Sequence, residues 1–297
     1  MTEQTKPQRT LLAILAHPDD ESWGPGSGAL AKYAHEGAAV HYLCGTRGEV
    51  GSADAEHLQG FESVGDMRWA ELTCAVNELK FAGFYHLGFR DSGMAGSPES
   101  QHPQALAAQP VEAVGARIAH FIRQIKPQVV ITHDTIGGYR HPDHIALNRG
   151  TLRAFEMLAE PEEYPDPEGL PHYCPQKLYY AIFSRRFMKF IVRVLPLLGQ
   201  DPRRFGRNKD IDFASLVEVE FPVHAVIEVP EEARAMTARA AECHKSQHTS
   251  GPPRRGLAAA LFRVLGRRGV RDTFMRVYPP VLPGEKVRET DLFEGVL

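Results

Sequence analysis

The sequence predicts an α/β protein with a doubly wound, mostly parallel, Rossmann-like sheet and a less regular C-terminal α/β extension. Short apolar runs alternate with segments of helical periodicity through about the first 160 of its 297 residues. This order implies parallel strands joined by right-handed crossover helices. In addition, three clusters of polar residues directly follow predicted strands, and loops gather at the carboxyl edge of such a sheet.

The first predicted strand is LLAILA at residues 11–16, whose unbroken apolar character indicates burial on both faces. Residues 27–36 then show helical spacing, and Gly37 ends that helix. Pro127 ends the later helix predicted at 111–125. The remaining elements of this half continue the alternation: strand 38–44, helix 64–81, strand 84–89, helix 111–125, strand 128–132 and helix 143–158.

The C-terminal part of the chain is less regular. Its predicted elements are strands at 177–183 and 216–229 and a helix at 231–244. We expect residues 1–160 to form a catalytic core that contains a metal site. We expect residues 161–297 to complete the same domain and to supply substrate-pocket and lid elements.

Composition narrows the class of protein. The chain is 43% hydrophobic and 24% charged, as in an ordinary globular protein, and its formal charge of −3 gives no reason to expect a nucleic-acid partner. The polar N-terminus does not resemble a signal peptide, and no apolar run reaches the ~18 to 20 residues of a membrane span. We therefore expect a cytoplasmic protein without stable membrane insertion. Exposed apolar stretches in the C-terminal part make a homo-oligomer reasonable.

Two C-terminal stretches, 185–207 and 254–271, are both basic and apolar. We interpret them as solvated basic helices that lie over the core as part of a lid. The alternative is contact with a membrane surface or with a partner.

The four cysteines do not form a recognisable framework. They are far apart and contain no CxxC pair, which argues against both a disulfide framework and a thiolate zinc site. We expect buried free thiols in a reducing cytoplasm. These cysteines are Cys44, Cys74, Cys174 and Cys243.

Histidine and aspartate cluster after two predicted strands. His17 and Asp20 are three residues apart after the first strand, within reach of one ion from a single turn. Residues 139–144, YRHPDH, follow the strand QVVITHD. Nitrogen and carboxylate ligands without thiolates suit Zn²⁺ at a catalytic site, although Fe²⁺ accepts similar ligands. Two histidines and one carboxylate would leave a coordination position for water, whose pKa the ion lowers.

Each cluster also has a purely structural interpretation. HPDD and HPDH could each be a turn followed by a helix N-cap, because aspartate is favoured there and complements the helix dipole. The occurrence of both motifs at the ends of two parallel strands favours the metal site.

With these two clusters, the sequence resembles the PIG-L / LmbE-like family of zinc-dependent N-deacetylases. The resemblance covers roughly residues 10 to 160. The sequence is similar in particular to members that deacetylate an N-acetylglucosaminyl precursor of a low-molecular-weight thiol. The motifs that carry it are AHPDDE, RGEVGS, the R-x-x-E-L of Arg68 to Leu72, FRDSGM, GGYRHPDH and, more loosely, CHKSQ at 243–247.

The resemblance implies a metal set and a general base. Zinc would be held by His17, Asp20 and His144, and Asp19 would take a proton from the activated water. Glu21 would support the local turn.

The resemblance also implies roles around the reacting carbonyl. His141 would donate to the oxyanion, and Asp143 would orient or charge the His141 imidazole. Tyr139 would be a second oxyanion donor or a mobile gate. Arg68 and Asp91 would hold hydroxyls of the sugar or of its aglycone. The alternatives are a surface salt bridge between Arg68 and Glu71, and a turn-stabilising role for Asp91.

The predicted function is therefore a metal-dependent hydrolase that removes the N-acetyl group from an N-acetylglucosamine conjugate, with inositol or malate as the aglycone, using metal-activated water. Asp19 or His141 would return a proton to the leaving amine. One alternative is an amidase that acts on thiol S-conjugates, of the mycothiol S-conjugate amidase type. Another is a sugar- or nucleotide-binding module without catalysis, although no GxGxxG follows the first strand.

Overall fold

The computed structural model describes residues 8–183, 185–205, 209, 211–247 and 270–297. The strands are β1 Thr10–Leu15, β2 Ala39–Cys44, β3 Gly83–His86, β4 Val129–His133, β5 Lys177–Ile182, β6 Ala225–Val229 and β7 Val270–Tyr278. The helices are α1 Asp20–Trp23, α2 Ser27–His35, α3 Val64–Glu78, α4 Val111–Ile125, α5 Gly137–Arg140, α6 Pro142–Ala159, α7 Arg185–Val194, α8 Phe213–Leu216 and α9 Glu231–Cys243.

These strands form one seven-stranded sheet in the order β3-β2-β1-β4-β5-β7-β6. The first five are parallel, and β7 runs antiparallel to both of its neighbours. The prediction of a mostly parallel, doubly wound sheet is confirmed. From β1 the chain passes to β2 on one side, whereas β4 pairs with β1 on the other. This change of direction opens a crevice at the carboxyl ends of β1 and β4, where such folds bind ligands.

Side chains of β1 point alternately to the two faces of the sheet and therefore pack into two separate hydrophobic cores. Leu11, Ala13 and Leu15 pack with α2 and α3 on one face of the sheet, where the first core lies. Leu12 and Ile14 pack with α4 and α6 on the opposite face, where the second core lies. The unbroken apolar run is therefore explained by helices that cover both faces of β1.

Two C-terminal expectations need correction. The strand predicted at 216–229 begins only at Ala225, because Asp212 caps α8 by accepting a hydrogen bond from the Ser215 backbone N–H at 3.1 Å, and Pro222 has no N–H to pair. The strand β7 was not predicted. Residues 270–271 of the expected basic helix begin this strand, and residues 254–269 lie outside the described part of the chain.

The other basic stretch contains α7, Arg185–Val194, and a short 3-10 helix, Leu195–Leu198. Residues 184, 206–208 and 210 lie outside the described residues. A role for this stretch as a lid stays a prediction. Within the described ranges, no helix combines the length and the apolar character that crossing a membrane requires.

The expectation of four free thiols is wrong for two cysteines. Cys74 of α3 and Cys243 of α9 form a disulfide, with their Cα atoms 5.8 Å apart and 169 residues between them in sequence. Cys44 is a buried free thiol, as expected, whereas Cys174 is a free thiol that is exposed rather than buried. A pattern of spacings could not identify the pair, because packing of α9 on α3 brings the two residues together.

Candidate active site

The predicted metal ligands meet at the crevice between β1 and β4. His17 and Asp20 follow β1, and His144 lies in the first turn of α6. His17 Nδ1 is 3.2 Å from His144 Nε2, and Asp20 Oδ2 is 3.7 Å and 3.5 Å from these two nitrogens. A tetrahedral ion with bonds of about 2.1 Å separates its ligands by about 3.4 Å. These three atoms therefore have the spacing that a single divalent ion requires.

Backbone amides hold the Asp20 carboxylate in this arrangement. Its Oδ2 accepts hydrogen bonds from the backbone N–H groups of Ala16 at 3.1 Å and His17 at 2.9 Å. The turn HPDD therefore folds back on the end of β1 and presents a carboxylate and an imidazole on the same side. This contact explains why a spacing of three residues suits one ion.

A fourth histidine, His133 at the end of β4, also lies within reach of Asp20 and His144. Its Nε2 accepts the Ala16 backbone N–H at 3.0 Å, so that lone pair is already engaged. Burial lowers its pKa, which keeps the ring neutral. The ring stacks on His144 with centroids 3.8 Å apart. His133 therefore packs against the predicted ligand His144 and shares the Ala16 backbone N–H with Asp20.

Asp143 does not make the contact that was expected of it. Its carboxylate faces His17 Nε2 at 3.4 Å and accepts hydrogen bonds from the backbone N–H and the hydroxyl of Ser92. Only the Asp143 backbone N–H reaches His141, at 3.2 Å from Nδ1. The carboxylate therefore does not orient His141 through a hydrogen bond and instead faces His17, whereas an effect of its charge on His141 stays a prediction. A carboxylate behind an imidazole fixes its tautomer, which here would leave Nδ1 free for a metal ion.

Asp19 is next to a ligand and is held in an unusual conformation. Its φ of 138° lies in the region that favours glycine, at a cost of about 1–3 kcal/mol. Its Oδ2 accepts a hydrogen bond from Arg68 Nη2 at 2.9 Å, and its backbone N–H donates to Glu21 Oε2 at 2.9 Å. Burial raises the pKa of Asp19 to about 6, against the lowering effect of Arg68. Such a carboxylate is well matched to proton transfer near neutral pH.

Arg68 is buried in the site and is not on the surface. Besides Asp19, its guanidinium donates to the backbone carbonyls of Pro18 at 2.7 Å and Gly48 at 3.2 Å. The alternative of a surface salt bridge with Glu71 is wrong, since Glu71 instead accepts hydrogen bonds from Ser246. Arg68 holds the proposed base, and contact with a sugar stays a prediction.

Asp91 is also buried, and its oxygens bind both its own loop and the loop that follows β2. Oδ1 accepts the Gly93 backbone N–H at 2.8 Å, and Oδ2 accepts that of Val50 at 3.3 Å. His17 Nε2 is 3.7 Å from Oδ1. Although burial opposes it, the neighbouring His17 holds the pKa of Asp91 well below its usual range. These contacts support the turn-stabilising alternative, and a contact with substrate hydroxyls stays a prediction.

His141 and Tyr139 flank the ligands on the α6 side. His141 is the N-cap of α6, and because its Nδ1 accepts a hydrogen bond, the proton of the neutral ring is on Nε2. Burial lowers the pKa of His141 to about 3. The Tyr139 ring contacts His141 and His144 with centroids 5.7 Å and 5.2 Å apart. Positive φ values at Gly137 and Gly138 turn the chain sharply here and bring both side chains to the crevice.

Three residues of the site did not carry a functional prediction: His133, Ser92 and His244. Ser92 lies in the quoted motif FRDSGM, and His244 in CHKSQ, so motif membership was the only available signal. His244 Nε2 donates to Glu21 Oε1 at 2.6 Å, and both side chains are fully buried. No local pattern pairs residues that are 223 positions apart.

Comparison with known proteins points to one family. The family model described as "PIG-L: GlcNAc-PI de-N-acetylase" matches residues 12–155, which include all three predicted metal ligands. A 1D-myo-inositol 2-acetamido-2-deoxy-alpha-D-glucopyranoside deacetylase of Geodermatophilus obscurus is 32% identical over 98% of this chain and 99% of its own. A mycothiol S-conjugate amidase of Streptomyces coelicolor is 39% identical over 61% of each chain.

Solved structures share the fold. An N,N'-diacetylchitobiose deacetylase of Pyrococcus horikoshii superposes with a TM-score of 0.59 at 17% identity, over 94% of this chain and 88% of that one. A conserved protein of Thermus thermophilus gives a TM-score of 0.56 at 22% identity, over 92% of this chain and 97% of that one. The long relative at 32% identity and the matched family model together show that this chain belongs to the PIG-L family.

Proposed function

We propose that this protein is a zinc-dependent deacetylase that removes the N-acetyl group from an N-acetylglucosamine conjugate. The observation that carries the proposal is the meeting of His17 Nδ1, Asp20 Oδ2 and His144 Nε2 within 3.7 Å of one another. A partly buried carboxylate, that of Asp19, lies next to them in sequence and is not one of the three. Family membership supports the reaction class, a hydrolysis of an amide bond.

The chain's own residues divide the work of hydrolysis. When bound, an ion at this site would supply a Lewis acid for the acetamide oxygen and lower the pKa of a water molecule. Asp19 accepts the proton that water loses on attack. The His141 Nε2–H donates a hydrogen bond to the oxygen on which negative charge develops. The proton that Asp19 takes up is the one that the leaving amine requires. Asp19 returns it to the nitrogen directly, or passes it first to His141, which then donates it.

Arg68 and Asp143 act as positioning residues in this scheme. Arg68 fixes the side chain of Asp19 by a charge-assisted hydrogen bond. Asp143 faces His17 Nε2, the ring nitrogen that does not lie beside Asp20 and His144. Both are buried, so their contacts are not weakened by solvent.

The substrate is proposed from the relatives. The full-length relatives are named as deacetylases of an acetamido-glucopyranoside of inositol, which supports N-acetylglucosaminyl-inositol as the substrate. The amidase relative supports a second candidate, the amide of a thiol S-conjugate. A sugar-binding module without catalysis is less well supported, because binding alone does not need a carboxylate beside the ligands.

The test is amide hydrolysis by purified protein loaded with Zn²⁺ or Fe²⁺, measured as the primary amine that every substrate releases. N-acetylglucosaminyl-inositol, N-acetylglucosaminyl-malate and a bimane S-conjugate would be compared at equal concentration. We expect the inositol glycoside to have the highest kcat/KM, by about tenfold or more. Faster cleavage of the S-conjugate would favour the amidase, and no amide cleavage in any arm would refute the hydrolase. A cytoplasmic location, a single domain and a homo-oligomer stay predictions.

A further inference from the structure

A buried pair of ionisable residues lies directly behind Asp19. The side chains of Glu21 and His244 are both 0% exposed, and His244 Nε2 donates to Glu21 Oε1 at 2.6 Å. The pair joins the first turn after β1 to the segment that follows α9. Buried charged groups are rare unless they are paired, and a pair of this kind is costly to break. None of the proposed catalytic steps uses it.

The second oxygen of Glu21 connects this pair to the proposed base. Glu21 Oε2 accepts the backbone N–H of Asp19 at 2.9 Å, at the residue whose φ is 138°. A strained conformation persists only where its surroundings hold it in place. Glu21 supplies that hold to the main chain, while Arg68 holds the carboxylate of the same residue.

His244 is itself anchored on both sides. The preceding residue, Cys243, is bonded to Cys74 of α3. Two residues further on, the backbone N–H and the hydroxyl of Ser246 each donate to Glu71 of α3 at 2.7 Å. The imidazole therefore has a fixed position relative to α3.

Because Arg68 is also on α3, this helix controls Asp19 by two routes. The Arg68 guanidinium reaches the Asp19 carboxylate directly, and the anchored His244 reaches the Asp19 main chain through Glu21. The two contacts restrain both ends of one short side chain. Small displacements of a catalytic group of this kind reduce the rate strongly.

We propose that Glu21 and His244 are positioning residues that hold Asp19 in its reactive orientation. The proposal rests on the proposed function for the role of Asp19. The competing explanation is a buried ion pair that stabilises the fold and has no separate effect on the reaction. If the pair positions Asp19, kcat should fall whenever the hydrogen bond between His244 and Glu21 is lost. If the pair only stabilises the fold, kcat of the folded protein should not depend on that bond.

The test compares His244→Phe with His244→Gln. Phenylalanine keeps the ring beside Trp23, whose centroid is 5.8 Å away, but cannot donate to Glu21. The amide of glutamine can donate in place of Nε2. For His244→Phe we expect kcat to fall about 10-fold to 100-fold, as for other supporting residues of metal sites, with metal content and KM nearly unchanged. We expect His244→Gln to retain most of the wild-type kcat.

Two further variants separate positioning from stability. His120→Phe removes a histidine that is 3.0 Å from Asp166, away from the site, and should leave kcat unchanged. In Glu21→Gln/His244→Phe a neutral amide replaces the carboxylate that would otherwise lose its partner, so the fold should recover, but no donor from residue 244 orients that amide toward the Asp19 backbone N–H. We expect this double variant to melt close to the wild type and still to have reduced kcat.

A readout independent of turnover is hydrogen exchange of the Asp19 amide, followed by NMR in the folded variants. We expect faster exchange in His244→Phe than in His244→Gln. A wild-type kcat in His244→Phe, or an equal loss of kcat in His244→Phe and His244→Gln, would overturn the proposal. If the wild type cleaves no amide while the exchange rates differ as expected, the proposed function fails and the hold on the Asp19 backbone stands.

Discussion

Replacing Asp19 by asparagine tests the central assignment most directly. Asparagine has nearly the same size, and its side-chain oxygen can still accept the hydrogen bond that Arg68 Nη2 makes at 2.9 Å. The backbone N–H of residue 19 can still donate to Glu21. The substitution therefore removes the basicity of one group and leaves the surrounding contacts in place.

The size of the effect follows from the role of the group. A positioned general base contributes about 10²-fold to 10⁴-fold to the rate. Asp19→Asn should therefore lower kcat by about 10²-fold or more, which corresponds to roughly 3–5 kcal/mol of transition-state stabilisation. Metal content should not change, because Asp19 is not one of the three convergent ligand atoms.

The assay is acetate release under saturating substrate, with metal quantified on the same preparations by atomic emission. Asp66→Asn is a matched control, because Asp66 is also an aspartate that pairs with an arginine. It lies on the exposed side of α3, with Oδ1 3.2 Å from Nη1 of Arg47. This variant should retain wild-type kcat. Turnover by Asp19→Asn within a few-fold of the wild type would refute the role of Asp19, and loss of metal would show that the residue is a ligand.

The metal, the disulfide and one carboxylate outside the site can each be tested separately. His144→Ala removes a ligand atom, so metal content and activity should fall together. Cys74→Ser opens the disulfide that spans 169 residues, and unfolding by denaturant should show a loss of about 2–5 kcal/mol. Burial raises the pKa of the half-buried Asp272 to about 6. This pKa exceeds the unfolded value of about 3.9, so the folded state binds the Asp272 proton more tightly than the unfolded state does. The stability that Asp272 contributes is therefore full below about pH 4 and is lost as pH rises through 6. Asp272→Asn should therefore flatten the fall in unfolding free energy between about pH 4 and pH 7, by about 1–2 kcal/mol.

Each of these expectations has an outcome that contradicts it. A full equivalent of metal in His144→Ala would remove that residue from the ligand set. Cys174→Ser, at an exposed free thiol, should leave stability unchanged, and an equal loss there would mean that the disulfide has no specific effect. An unchanged pH profile in Asp272→Asn would show that its carboxyl titrates normally.

The local hydrophobic pattern of the sequence was sufficient to predict the strands of the parallel half of the sheet. β1, β2 and β4 were predicted within one or two residues, because apolar runs buried on both faces leave an unmistakable signature. The strand β7 pairs at the antiparallel side of the sheet and mixes arginine with apolar residues, so it has no such signature. Its placement depends on pairing with β5 and β6, which are distant in sequence.

The sequence alone was also enough to expect His17 and His144 in one crevice, although 127 residues separate them. Parallel strands bring their carboxyl ends to one edge, so residues that follow β1 and β4 must meet there. The choice of partner for each ring nitrogen and carboxylate depended on the tertiary structure: Asp143 faces His17, and Glu21 meets His244. A hydrogen bond requires atoms within about 3 Å, and that precision comes from packing between distant segments rather than from any local pattern.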